Sequence, residues 1–272
     1  MLAHSSPAQH LGMIAVAIAL TVLYGRGWLA GHASSARLWC WAGGLVALLA
    51  SMSSPVETIS AETFTGHMVQ HVVMIAIAAP LLVLSHPIDT MLPQAAMPLR
   101  LRRASHAMSR TWHRTAAIVA PVAFVGALVV THLTDIYDAA LRHQFVHDIE
   151  HVAYLLAAIA LWALVLGAGR RRGIDRIAAV FAVIAGMAFL GAILMTADHA
   201  LIATYADGEA PADALDDQRL AAAIMWVTGM AITVPLLLLT VWRWATLEQT
   251  IAERREALEG SARPTPRRRP PP

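Results

Sequence analysis

The chain alternates between long apolar blocks and short polar or basic segments. A helix that crosses a bilayer needs about 17–25 mainly apolar residues. Seven blocks fit: residues 8–25, 38–54, 63–85, 116–134, 148–168, 177–197 and 219–241. The second is short and glycine-rich. Pro80, Pro121 and Pro235 fall inside blocks, which membrane helices tolerate when neighbours re-satisfy the backbone. No basic residue precedes the first block and Arg26 follows it, so it reads as a retained span, not a cleaved signal peptide. The pattern predicts an all-α membrane protein of seven transmembrane helices over 1–243. A tail over 244–272 should begin as a polar helix and end disordered in RPTPRRRPPP.

Composition sharpens this reading. Of 272 residues, 57% are hydrophobic and only 14% charged, too apolar for a soluble domain of this length. All 20 basic residues are arginine, and their distribution predicts orientation. With the N-terminus outside, 18 of them fall in inner segments or the tail, leaving only Arg142 and Arg219 outside. The arginines therefore act as topology signals and lipid contacts, not as a nucleic-acid face. Cys40 is the single cysteine, which excludes an internal disulfide or a thiolate cluster.

The polar residues inside the blocks carry the candidate chemistry. Nine of the thirteen histidines fall on the predicted outer side, and ionisable groups at membrane depth face a bundle interior or a wet cavity. Residues four apart share a helix face. GHMVQHVV places His67, Gln70 and His71 on one stripe of the third span. RHQFVHDIEHVAYLL places His147 and His151 on one face of the fifth, flanked by Glu150 and Tyr154. Four imidazoles converging from two helices would suit zinc or copper. Methionines Met68, Met195 and Met225 and the outer His199 lie nearby in the pattern, and thioether with imidazole favours Cu+ over Cu2+ or zinc. His132 and His143 are candidate transient ligands. Asp148, Glu150, Asp198 and Gln70 are candidates for orienting the imidazoles.

At these residues the sequence resembles a known family. ETFTGHMVQHVVMIAIAAPLLVLSHP, FVHDIEHVAYLLAAIALW and DDQRLAAAIMWVTG look like the signature spans of the CtaG-like multispanning cytochrome c oxidase assembly factors, a likeness covering roughly 57 to 240. The resemblance implies a bacterial inner-membrane protein, not an enzyme, that handles copper for an oxidase catalytic subunit. A periplasmic copper chaperone as donor and a homo-oligomeric state are further implied partners. Carried over by motif, its candidate ligands are His67, Met68, His71, His147, His151 and Met225. The chain departs from the family where it has AAPLL, LWALV and AAAIMWVTG, differences that concern helix shape more than ligands.

Two rival readings stand beside this one. HDIEH matches H-x-x-E-H, in which two histidines bind zinc and the glutamate acts on a metal-bound water. That would make the protein a membrane-embedded zinc hydrolase. A haem held between His71 and His151 is the other. A copper transporter fits less well, because the inner half offers only His86, His106 and His113 in a basic stretch.

Overall fold

The computed structural model describes residues 7–92, 98–167, 173–207 and 210–262. The segments holding His4, Arg170 to Arg172 and the RPTPRRRPPP end lie outside the described residues. Regular structure among those described is entirely helical. Helix α1 (Pro7–Leu29) leads to α2 (Ser35–Ser51), α3 (Ser54–Glu62) and α4 (Phe64–Val72). A π-helical turn, Val73–Ala78, joins α4 to α5 (Ala79–Leu84) and the short α6 (Pro87–Met91). Next come α7 (Leu99–His132), α8 (Ile136–Arg142), α9 (Gln144–Leu166), α10 (Gly173–Thr196), α11 (Ala203–Ala206) and α12 (Pro211–Ala262).

Six helical stretches are long and apolar enough to cross a bilayer on their own. Among the predicted blocks, 38–54 is the exception. It corresponds to α2, which passes the same test only when taken together with α3, from which it is bent by 48°. Pro55 explains the break: it stands in the first turn of α3, where its missing N–H does no harm but would interrupt a continuing helix. The last span is longer than its apolar block, because α12 runs without interruption to Ala262. Residues 244–262 are therefore helical.

The third span bends its hydrogen-bond register where the sequence requires it. Pro80 has no N–H and its ring crowds the carbonyl one turn back. The chain answers with the π turn, in which the Ala79 N–H donates to Met74 O. One register further on, the Ile75 carbonyl faces Pro80 and has no backbone donor. The Trp162 indole of α9 donates to that oxygen at 2.9 Å, so the defect also fastens the third span to the fifth.

Many large apolar side chains point outward, among them Leu11, Ile18, Ile118, Val122, Phe181, Phe189 and Leu238. In a bilayer these form the lipid-facing surface. The polar interior is gathered at one end. Here the start of α4, the end of α7 and the start of α9 meet α8, α11 and the start of α12. The start of α1 joins them: Gln9 donates to Asp148 at 3.3 Å and His10 pairs with Glu57 at 3.2 Å. The N-terminal end of the first helix therefore lies at the same membrane face as this polar interior.

Candidate metal centre

The amides that open α4 set the position of its histidines. The first N–H groups of a helix have no partner within it. The Asp217 carboxylate of α12 accepts from Phe64 N at 2.7 Å and Thr65 N at 3.2 Å. Thr63, the residue before the helix, accepts from Gly66 N at 3.0 Å. Gly66 brings α4 against α3: a Cβ there would stand 2.6 Å from the Ile59 side chain and 2.7 Å from its carbonyl oxygen. That close approach explains the glycine immediately before His67.

His67 and His71 then point into the bundle, as do His147 and His151 from α9. All four are buried, His67 completely and His147 at 8% exposure. Ring centroids are 4.4 Å apart for His67–His71 and 4.1 Å for His147–His151. Across the two helices they are 5.4 Å for His67–His147 and 5.2 Å for His71–His151. The two pairs expected from the spacing thus form one cluster.

Two overlapping sets of donor atoms lie within 4.8 Å of one another: His67, His147 and His151, and His67, His71 and Glu150. His67 belongs to both. Its Nε2 is 3.1 Å from Nε2 of His71 and 4.0 Å from Oε2 of Glu150. Two nitrogens bound at about 2.0 Å around a tetrahedral ion stand about 3.3 Å apart, close to the first separation. Glu150 thus sits among the donor atoms themselves, closer in than the orienting role expected for it.

Several of these donors lack partners. His71 Nδ1, His151 Nε2 and both carboxylate oxygens of Glu150 are buried without a hydrogen bond among the described residues. Leaving such an atom unpaired costs about 1–3 kcal/mol. Several unpaired donors gathered in one small volume form an arrangement that could accept a cation.

The outer connections supply the supporting groups. The Tyr205 hydroxyl of α11 donates to the Ser60 carbonyl at 2.5 Å and stands 2.9 Å from His67 Nδ1. A phenol has one proton to give, so His67 Nδ1–H must be the donor to Tyr205. Nε2 of His67 is then left with its lone pair toward His71. Burial pushes the Tyr205 phenol well above its usual range, with the charges of Glu150 and Asp217 adding to the effect. It therefore keeps its proton under physiological conditions. The Asp138 carboxylate of α8 holds α11 in place by accepting from Thr204 N at 2.7 Å and from its hydroxyl at 2.6 Å. Gln218 joins α10 to the following connection, donating to Leu194 O at 3.0 Å and accepting from Leu201 N at 2.6 Å.

Other predicted residues lie elsewhere. Gln70 is buried but donates to the Ser51 carbonyl at 2.8 Å, tying α4 to α2. Asp148 is exposed and accepts from Gln144 at 2.8 Å. His143, Asp198 and His199 are also exposed. Met68 is buried in the core beside the cluster and Met195 packs partly buried against the same core. Met225 lines an apolar cavity of about 70 Å³ with Phe124, Leu128 and Trp162, and no histidine borders it. His132 is buried, its Nδ1 2.9 Å from the Leu128 carbonyl and its Nε2 unpaired. Sequence periodicity missed Tyr205, Ser60 and Tyr137 of α8, whose ring centroid is 5.0 Å from that of His67; all three belong to the connections or to the bent helix. The acidic DDQ before the last span was the available signal for Asp217.

A second, smaller cavity of about 10 Å³ reaches the cluster, bordered by Glu57, Ser60, Gln144, His67 and His147. It has room for about one water or a bare ion. The His71 and His151 rings stand almost perpendicular at 87°.

Fold and cluster together define a multispan membrane protein with a buried polyhistidine centre near one face. The chain belongs to the cytochrome c oxidase caa3 assembly factor family (Caa3_CtaG), whose sequence model matches residues 15–246. The resemblance carried by the two histidine spans and the DDQ segment is thereby borne out. Its curated relatives include an uncharacterized protein of Mycobacterium leprae, 28% identical over 235 residues. Others from Mycobacterium bovis and Mycobacterium tuberculosis are 26% identical. Each alignment covers 81% of this chain but 36% of the relative, so the chain spans about a third of their length. No solved structure matches it.

Proposed function

We propose that this protein serves cytochrome c oxidase assembly by holding copper at its histidine cluster and passing it to the oxidase catalytic subunit. The observation that carries the proposal is the convergence of His67, His71, His147, His151 and Glu150, with buried donor atoms left unpaired. Four imidazoles can hold copper or zinc; the oxidase context favours copper, and Cu+ is the state a soft-ligand handover would use. Copper is cargo here, not a resident cofactor. His67 is common to both donor sets, so an ion could shift between them without being released. The arginine distribution supports an N-out orientation in the bacterial inner membrane, with the cluster facing the periplasm. A periplasmic copper chaperone would be the donor, and a homo-oligomer is compatible with this role.

A zinc-dependent hydrolase is the second reading, favoured by Glu150 beside His67 and by the adjoining cavity of about 10 Å³. One experiment addresses both readings. Protein purified in detergent is loaded with Cu+ or Zn2+ and analysed for metal beside a His71→Ala, His151→Ala double variant. The double variant is expected to lose most of its bound metal. Equal metal content in both would end the proposal. Glu150→Gln is then tested for oxidase activity in cells lacking the native gene. Largely retained activity argues against hydrolysis and leaves the imidazoles as the main ligands. Full loss with metal retained points to hydrolysis.

A further inference from the structure

At the end of the bundle opposite the histidines lies a cavity of about 100 Å³. The end of α9 (Val165, Leu166), the start of α10 (Gly173, Arg176) and α12 from Leu236 to Leu247 enclose it. Its lining has two characters. Leu236, Leu239 and Leu247 form an apolar wall along the span. Arg176 and Arg243, from two different helices, also line it. No function so far described uses either arginine.

The local structure holds these groups in place. Arg176 donates to the Gly167 carbonyl just beyond the end of α9, which fixes its side chain between α9 and α10. Trp244 packs against Gly173, where a Cβ would stand 2.3 Å from the indole. The first turn of α10 therefore lies directly on α12 beside the cavity, and the opening end of a helix carries partial positive charge. Asp175, in the same turn, does not border the cavity.

We propose that this cavity binds the phosphate headgroup of an anionic membrane phospholipid, with an acyl chain along the leucine wall. Guanidinium groups pair with phosphate through forked hydrogen bonds. Basic pockets between transmembrane helices at the cytoplasmic side recognise such headgroups, and tryptophan belongs at the same level. Free phosphate shares the charge chemistry but has no use for an apolar wall. The site sits at the other end of the bundle from the metal centre, and the proposal does not depend on the copper reading.

The test is the thermal unfolding of the detergent-purified full chain with added phosphatidylglycerol, phosphatidylcholine or inorganic phosphate. Phosphatidylglycerol is expected to raise Tm by several degrees, and the other two by little. Arg243 is exposed, so Arg243→Gln should fold normally and lose most of the shift. Arg254→Gln with Arg255→Gln, on the exposed end of α12, should keep it. Mass spectrometry of the purified protein should find anionic phospholipid retained by the parent chain and depleted in Arg243→Gln. An equal shift from phosphatidylcholine, or a full shift from phosphate alone, would overturn the proposal. So would an undiminished shift in Arg243→Gln, or the same loss in the Arg254/Arg255 variant.

Discussion

Single hydroxyl and carboxylate groups decide what the histidines can do. Tyr205 fixes the tautomer of His67: the phenol gives its proton to Ser60 O and receives one from His67 Nδ1. Removing such a support costs about 10–100-fold in metal affinity. Tyr205→Phe is therefore expected to weaken Cu+ binding by about tenfold in a competition titration with a chromogenic chelator, with metal stoichiometry unchanged. An unchanged affinity would remove Tyr205 from the site. The histidine pairs were legible in the sequence because spacing by four puts side chains on one helical face. Tyr205 was not, since a residue in a four-residue helix between spans carries no periodicity. Gln70 shares the stripe of His67 and His71, yet its longer side chain turns back to Ser51 O. Stripe membership predicts a face and leaves the partner open.

At the scale of helices, the centre depends on how α4 begins and how it is bent. Asp217 satisfies two of its opening amides from a helix far along the chain. Asp217→Ala leaves both unpaired, a loss of about 1–3 kcal/mol. A Tm lower by about 3–10 °C in detergent is the expected result, with a smaller drop for Asp217→Asn, which keeps one acceptor. Equal drops for the two variants would argue against capping. Composition and block length sufficed to predict these helices, but not the break at Pro55 or the π turn at Val73–Ala78. Proline in a membrane helix signals a local defect. Its form depends on which neighbour satisfies the freed carbonyl, and here that is Trp162, eighty-seven positions away.

Over the whole molecule, charge and packing are separated along the membrane normal. The buried histidines and Glu150 occupy one end, and Arg176 of α10 and Arg243 of α12 occupy the other. The direction across the membrane is tested by alkaline phosphatase fusions, active only when exported. A fusion in the connection near Asp207 is expected to be active, and one after Ala262 inactive. The reverse result would place the centre in the cytoplasm. The depth of the centre has a consequence of its own. From Phe64 to His67 a helix climbs only about 5 Å, and the small cavity that reaches the cluster is bordered by Glu57 and Ser60 of α3, just before that turn. If the centre holds an ion as proposed, that ion lies about one helical turn from the start of α4 and far from the middle of the span. On that reading a partner would have to part only the outer connections to reach it, and would cross no lipid.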